Sequence, residues 1–245
     1  MAPVDARREL TFLLAEPERR LLRAIAQRLP ARVTSDHLTL VGVVGALGAG
    51  VAYALSALSP AWLWVAGVML LVNWFGDSLD GTLARLRHAE RRRYGYYLDH
   101  VVDAFATAAI GAGIGLSPYV PLSVALAGVV AYLILSINVY LESTVFGVFR
   151  LGYGRIGPTE ARITLVLANG LLVAAGAEPA VVTVATSAAA ALALGMLVTV
   201  VLRIGRNLGE LAKLEPLPRR LPVRGSRAPR SGLLMRARVD PRPGQ

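Results

Sequence analysis

Cysteine is absent from this chain, and histidine occurs only three times. Neither a disulfide framework nor a thiolate metal site can therefore exist. His37, His88 and His100 fall in no metal-binding pattern and are expected to be satisfied or interfacial side chains. Charged residues are scarce as well, at 17% of the chain, and long stretches have none. No internal repeat and no domain break is visible, so one domain accounts for the chain. A cleavable leader is not expected either, because the Arg-rich start runs into a full-length apolar segment without a small-residue cleavage site.

What fills the 245 residues instead is apolar: 55% are hydrophobic and the mean hydropathy is +0.53. That exceeds the needs of a soluble core of this size, and the apolar residues come in runs of membrane length. The expected fold is all-α and integral to a membrane, a six-transmembrane helix bundle with an N-terminal amphipathic interfacial helix. The spans are read at about 38–58, 61–85, 97–117, 119–148, 158–177 and 179–203, the fourth long enough to tilt or project from the bilayer. Ahead of them, residues 16–29 place Leu21, Ile25 and Leu29 at i, i+4 and i+8 among arginines, with Pro17 near the first turn. That pattern suits a helix lying in the cytoplasmic interface. Three segments follow: 1–37 as a cytoplasmic N-terminal segment, 38–205 as the six-span domain, and 206–245 as a basic cytoplasmic tail. The tail is rich in Pro, Arg and Gly and is expected to be disordered or to lie on charged headgroups.

Arginines set the orientation. They lie in the N-terminal segment, the 85–93 loop, at Arg150, Arg155 and Arg162, and from Arg203 onward, while the loops at Ser59-Pro60, Ser117-Pro118 and Glu178-Pro179 have no Lys or Arg. The positive-inside rule then puts both termini on the cytoplasmic side of a cell membrane. The formal net charge of +10 sits on the face that meets anionic lipid, so it calls for no nucleic-acid partner. Trp62 and Trp64 read as an aromatic belt on the opposite face.

Against this background four acids stand out: Asp77 and Asp80 in NWFGDSLDGTLARL, and Asp99 and Asp103 in GYYLDHVVDAF. A carboxylate facing lipid costs about 2.5 to 3.5 kcal/mol on insertion scales, so the four must be neutralised. On a helix, Asp77, Asp80, Gly81, Ala84 and Arg85 share an arc of about 140°, and Gly95, Asp99 and Asp103 one of about 80°. Antiparallel neighbours joined by a short loop would bring the two stripes together near the cytoplasmic side. Converging carboxylates repel one another unless cations stand between them, and all-oxygen ligands suit Mg²⁺ or Mn²⁺. Two such ions about 3.5 to 4 Å apart would form a clamp for phosphoryl chemistry. Gly81, Ala84 and Gly95 would let a phosphate or nucleotide approach the backbone, or serve close helix packing.

Asp77-x2-Asp80-Gly81-x2-Ala84-Arg85 and Gly95-x3-Asp99-x3-Asp103 together resemble the signature of the CDP-alcohol phosphotransferases, D-x2-D-G-x2-A-R-x8-G-x3-D-x3-D. Each fixed residue type is matched, and the spacer of nine residues in place of eight falls in the predicted loop. A weaker likeness precedes the first span. There Val33-Thr34-Ser35-Asp36-His37-Leu38-Thr39 stands where many members resemble I-T-P-N-x-L-T, with Ser35 or Asp36 alternatively a helix N-cap. The segment Gly157-Pro158-Thr159-Glu160 faintly resembles the G-P-x-E stretch of choline and ethanolamine phosphotransferases, and Pro158 with Glu160 is also ordinary capping.

The resemblance implies a metal-dependent transfer in which an alcohol hydroxyl attacks the β-phosphorus of a CDP-linked donor and CMP departs. Asp77, Asp80, Asp99 and Asp103 would be metal ligands for two ions, with Asp103 also the proton acceptor. Gly81, Ala84, Arg85, Gly95, Asp36 and Thr39 would meet the donor, and Arg155, Glu160 and Arg162 the acceptor. Arg85 alternatively snorkels, and Arg91, Arg92 and Arg93 are expected at headgroups. A homodimer is expected as well. CDP-diacylglycerol with a small polar alcohol is favoured, and CDP-choline or CDP-ethanolamine with diacylglycerol stays open. A UbiA-type prenyltransferase would spread its acids over more helices without this spacing. A cation-coupled transporter would be expected to show inverted repeats or broken helices.

Overall fold

A computed structural model describes residues 14–146 and 157–216, together with the backbone of 7–8 and 148–149. Seven helices stand among the described residues: α1 Ala15–Arg28, α2 Ser35–Leu55, α3 Trp62–Leu86, α4 Arg92–Leu116, α5 Leu122–Phe146, α6 Pro158–Ala175 and α7 Pro179–Leu214. Two short strands, β1 Arg7–Arg8 and β2 Val148–Phe149, pair in parallel.

Local chemistry explains where the helices start and stop. The cap of α2 is Thr34, one residue ahead of Ser35 and two ahead of Asp36, the candidates suggested by the pattern. Its hydroxyl accepts from His37 N at 3.4 Å, and His37 Nδ1 accepts from Thr34 N at 3.2 Å. Pro158 and Pro179 open α6 and α7, where a missing N–H costs nothing. Gly176 ends α6 with φ +72°, a left-handed backbone that a side chain would strain.

Small residues set the packing of α2. A Cβ at Gly76 of α3 would lie 2.2 Å from Gly42 N, and one at Gly113 of α4 would lie 2.1 Å from Gly50 O. Backbone therefore touches backbone on both sides of α2, as small residues permit between membrane helices. One core cluster gathers Ala49, Ala52, Tyr53, Leu63, Ala66 and Leu70 with Tyr119. A second joins Leu22 and Ala26 of α1 to Leu38, Leu79 and Leu83. The buried face of α1 is thus centred one residue round from the stripe read in the sequence, and Leu21 stays 51% exposed. Ile25 and Leu29, the other members of that stripe, do pack against the cluster.

Polar ties hold the remaining helices. Tyr53 Oη donates to Asn169 Oδ1 at 3.1 Å, and Asn169 Nδ2 donates to Leu63 O at 3.2 Å, linking α2, α6 and α3. Between α5 and α7, the buried Glu142 accepts from Arg203 Nη2 at 2.5 Å, Asn207 Nδ2 at 2.6 Å and Asn138 Nδ2 at 2.7 Å.

Four helices, α2, α3, α5 and α7, are long and apolar enough to cross a bilayer, which marks a multi-pass membrane protein. Their outer faces are bare apolar side chains, as in the row Leu40, Val44, Leu47 and Val51 of α2, each at least 54% exposed. The other two helices expected as spans, α4 and α6, fall outside that group. α4 has Arg92, Arg93, Asp99 and Asp103 in its first half, and α6 is an 18-residue helix with Glu160 and Arg162 at its start. α7 continues to Leu214, past the boundary expected at 205. The rest of the expected tail, 217–245, lies outside the described residues.

Candidate functional site

Asp77 and Asp80 lie in the second half of α3, and Asp99 and Asp103 in the first half of α4. The two stripes do not simply face each other across one helix pair. α2 packs on both α3 and α4. Its first turns thereby form part of the site. All four aspartates line one cavity, together with Thr39 and Gly42 of α2, Asn73 of α3 and Val102 of α4.

Each acid has a definite setting. Asp80 Oδ2 accepts from Thr39 Oγ1 at 2.6 Å, its Oδ1 lies against Gly81 N, and its backbone carbonyl accepts from Ser35 Oγ at 3.0 Å. The start of α2 is thereby stitched to α3 at the acid. Asp77 Oδ2 accepts from Arg162 Nη2 of α6 at 2.8 Å. Arg162 Nε donates to Asn73 Oδ1 at 2.9 Å, and Asn73 Nδ2 donates to Gly42 O at 3.0 Å. A buried amide one turn before Asp77 thus fixes the guanidinium from behind.

On α4, Asp99, His100 and Asp103 hold their ligand-type atoms within 4.8 Å of one another. His100 Nδ1 lies 3.3 Å from Asp99 Oδ2. Its ring stacks on Tyr140 of α5 at 4.2 Å between centroids and meets Tyr96 at 4.1 Å. That histidine, expected to be a satisfied or interfacial side chain outside any metal pattern, sits beside the acids. Four carboxyl groups line the cavity against one guanidinium, that of Arg162 on Asp77, so in a low-dielectric setting their ionised forms would repel one another. Carboxylate oxygens with a threonine hydroxyl and no sulfur form a donor set that fits a hard divalent cation.

The other residues singled out from the sequence have separate settings. Gly81 and Gly95 are not packing residues: a Cβ at Gly81 would meet only the end of the Arg85 side chain, and one at Gly95 would meet nothing within 4 Å. Arg85 is exposed and donates to Thr82 Oγ1 at 3.2 Å, while Ala84 on the same helix is partly buried. Asp36, at the start of α2, is exposed and ion-paired to Arg91, whose guanidinium lies 3.9 Å over the Tyr94 ring. Glu160 spends both carboxylate oxygens on backbone N–H groups, those of Gly157 and Leu14, each at 2.9 Å. Arg155 lies outside the described residues. Of the two described residues assigned to the acceptor, Glu160 and Arg162, it is Arg162 that pairs with one of the aspartates, Asp77.

Sequence reasoning passed over Asn73, although its i−4 spacing from Asp77 was the available signal. It also passed over Glu18 of α1, whose Oε1 accepts from Trp74 Nε1 at 2.8 Å, Ser78 Oγ at 3.3 Å and Thr159 Oγ1 at 2.7 Å. Nothing in the order of the chain announces that contact.

Acids in this spacing, on two helices bridged by a third, define a class. Residues 32–202 match the model of the CDP-alcohol phosphatidyltransferase family, and the chain belongs to that family. It is similar to the phosphatidylinositol phosphate synthase of Cutibacterium acnes (strain DSM 16379 / KPA171202), at 39% identity over 90 residues. The match spans 36% of this chain and 40% of that relative, less than half of either.

Proposed function

We propose that the protein transfers a phosphatidyl group from CDP-diacylglycerol to the hydroxyl of a small polar alcohol, releasing CMP. One observation carries this reading: Asp77, Asp80, Asp99 and Asp103, all four acids of the family signature, line a single cavity. The similar relative is named for a phosphatidyl product, which favours CDP-diacylglycerol over a CDP-amino alcohol as donor.

On this reading Asp77, Asp80, Asp99 and Asp103 hold two Mg²⁺ or Mn²⁺ ions, which when bound would neutralise charge on the diphosphate. Asp103 takes the proton of the attacking hydroxyl, the new oxygen–phosphorus bond forms at the β-phosphorus, and the bond to CMP breaks. Gly81, Ala84 and Gly95 leave the backbone open to the donor, a reading supported by the open space at Gly95 and by the flexible end of the Arg85 side chain being what a Cβ at Gly81 would meet. Arg85 pairs with a phosphate oxygen, as its fork allows, and Asp36 and Thr39 border the nucleotide end. Arg162 faces the acceptor, with Glu160 shaping the start of α6 and Arg155 nearby in sequence.

The same proposal covers topology. α2 to α7 form six spans, with α4 and α6 polar at one end because they line the site. Both termini are cytoplasmic, in a cell membrane, with 1–37 preceding the membrane domain and a basic tail following it. α1 lies in the interface, supported by Arg19, Arg20, Arg23 and Arg28 standing exposed while Leu22 and Ala26 are buried. A homodimer belongs to this reading, and mass measurement in detergent tests it.

The deciding screen offers purified protein labelled CDP-diacylglycerol, CDP-choline and CDP-ethanolamine in turn, each with a panel of acceptors. CMP release from CDP-diacylglycerol alone is expected. Release from a CDP-amino alcohol alone would reverse the direction of transfer, and release from none would end the proposal.

A further inference from the structure

We propose, on the phosphotransfer reading above, that Glu18 of α1 is a positioning residue that sets where α6 and its Arg162 stand against Asp77. Its Oε1 gathers three donors from two helices: Trp74 Nε1 at 2.8 Å and Ser78 Oγ at 3.3 Å from α3, and Thr159 Oγ1 at 2.7 Å from α6. Ser78 adjoins Asp77 in sequence, and Thr159 stands one helical turn before Arg162. The Arg162–Asp77 pair at 2.8 Å therefore bridges the same two helices that Glu18 ties together.

A second tie fixes the hub itself. Leu14 N, just before α1, donates to Glu160 Oε1 at 2.9 Å, while Leu22 and Ala26 are buried against Leu79 and Leu83 of α3. Glu18 lies between these two attachments, so α1 spans the junction of α3 and α6. The contrast with Glu16 is instructive. Glu16 is exposed and pairs with Arg19 at 2.8 Å and Arg20 at 3.3 Å on its own helix. A helix that served only as a surface anchor would keep its acids in that setting. Glu18 instead turns inward, and a carboxylate oxygen accepts hydrogen bonds more strongly than a neutral one. Small errors in the placement of a group that orients a reactant carry large kinetic consequences, so such a hub matters to turnover at a distance.

Two arms test this. In the first, cysteines are introduced at Leu71 of α3 and Leu167 of α6, which are 50% and 64% exposed, and are spin-labelled. The native chain has no cysteine to interfere. Pulsed dipolar spectroscopy then reads the α3–α6 distance in the labelled parent, Glu18→Ala and Glu18→Gln. In the second, donor and acceptor KM are measured separately for the unlabelled proteins. Glu18→Ala is expected to broaden the distance distribution and raise acceptor KM by about tenfold with donor KM unchanged, as befits loss of a charged acceptor. Glu18→Gln, which retains an acceptor oxygen for the three donors, is expected to restore both readouts. Damage by both variants alike, or by neither, would overturn the proposal. The distance arm needs no turnover, so it decides the role of Glu18 even if the parent protein releases no CMP from any donor.

Discussion

Gly95 separates two meanings of a small residue in a membrane helix. Gly113 and Gly76 are small because another backbone lies against them, whereas a Cβ at Gly95 would meet nothing within 4 Å. Gly95→Val should therefore leave the thermal midpoint of the detergent-solubilised protein within about 2 °C of the parent, since surface substitutions cost little. It should nevertheless raise donor KM. Gly113→Val is expected to do the opposite and prevent a stable fold, seen as aggregation in size-exclusion chromatography. Asn73 offers a second residue-scale prediction. Asn73→Ala removes the amide between Gly42 O and Arg162 Nε, and turnover should fall by about 10- to 100-fold with the protein still folded. The four aspartates were legible because an acid in an apolar run is costly and conspicuous. Asn73 and Glu18 were not, because their meaning comes from partners far along the chain: Gly42 and Arg162 for one, Thr159 for the other.

Helices were more readable than their neighbours. Long apolar runs ended by Ser-Pro, Gly or Pro brought each expected span onto one helix, within a few residues at most ends. What hydropathy missed was α7 running on to Leu214, because Arg206–Leu214 is polar yet made largely of good helix formers. The position of α2 between α3 and α4 was also hidden, since chain order suggests that α3 and α4 pair directly. Its glycines, Gly42 and Gly50, were the signal. The α5–α7 tie yields an element-scale prediction. Glu142→Ala would leave the Arg203 guanidinium buried without its carboxylate, at a cost of about 3 to 5 kcal/mol. A marked fall in thermal midpoint should follow, and Glu142→Ala with Arg203→Met should recover much of it.

Across the whole molecule, α1 and the α1–α2 connection are tied to the end of α3 that holds the acids. α1 docks on α3 through Leu22 and Ala26, and Arg87 donates to the carbonyls of Leu29 at 3.0 Å and Pro30 at 2.9 Å, holding the α1–α2 connection. On the proposed reading, the acids beside these ties would meet a water-borne alcohol and a lipid-borne donor together. The clustering of acids around one cavity is the observation behind the proposed metal dependence, which is the central claim. Its most direct test is CMP release from labelled CDP-diacylglycerol by the purified protein with Mg²⁺ or Mn²⁺, after chelation, and in Asp77→Asn and Asp103→Asn. Release by the parent that disappears on chelation, returns when the ion is restored, and is lost in both properly inserted variants is the expected result. Turnover at the parent's rate in either variant, or in the chelated protein, would contradict it.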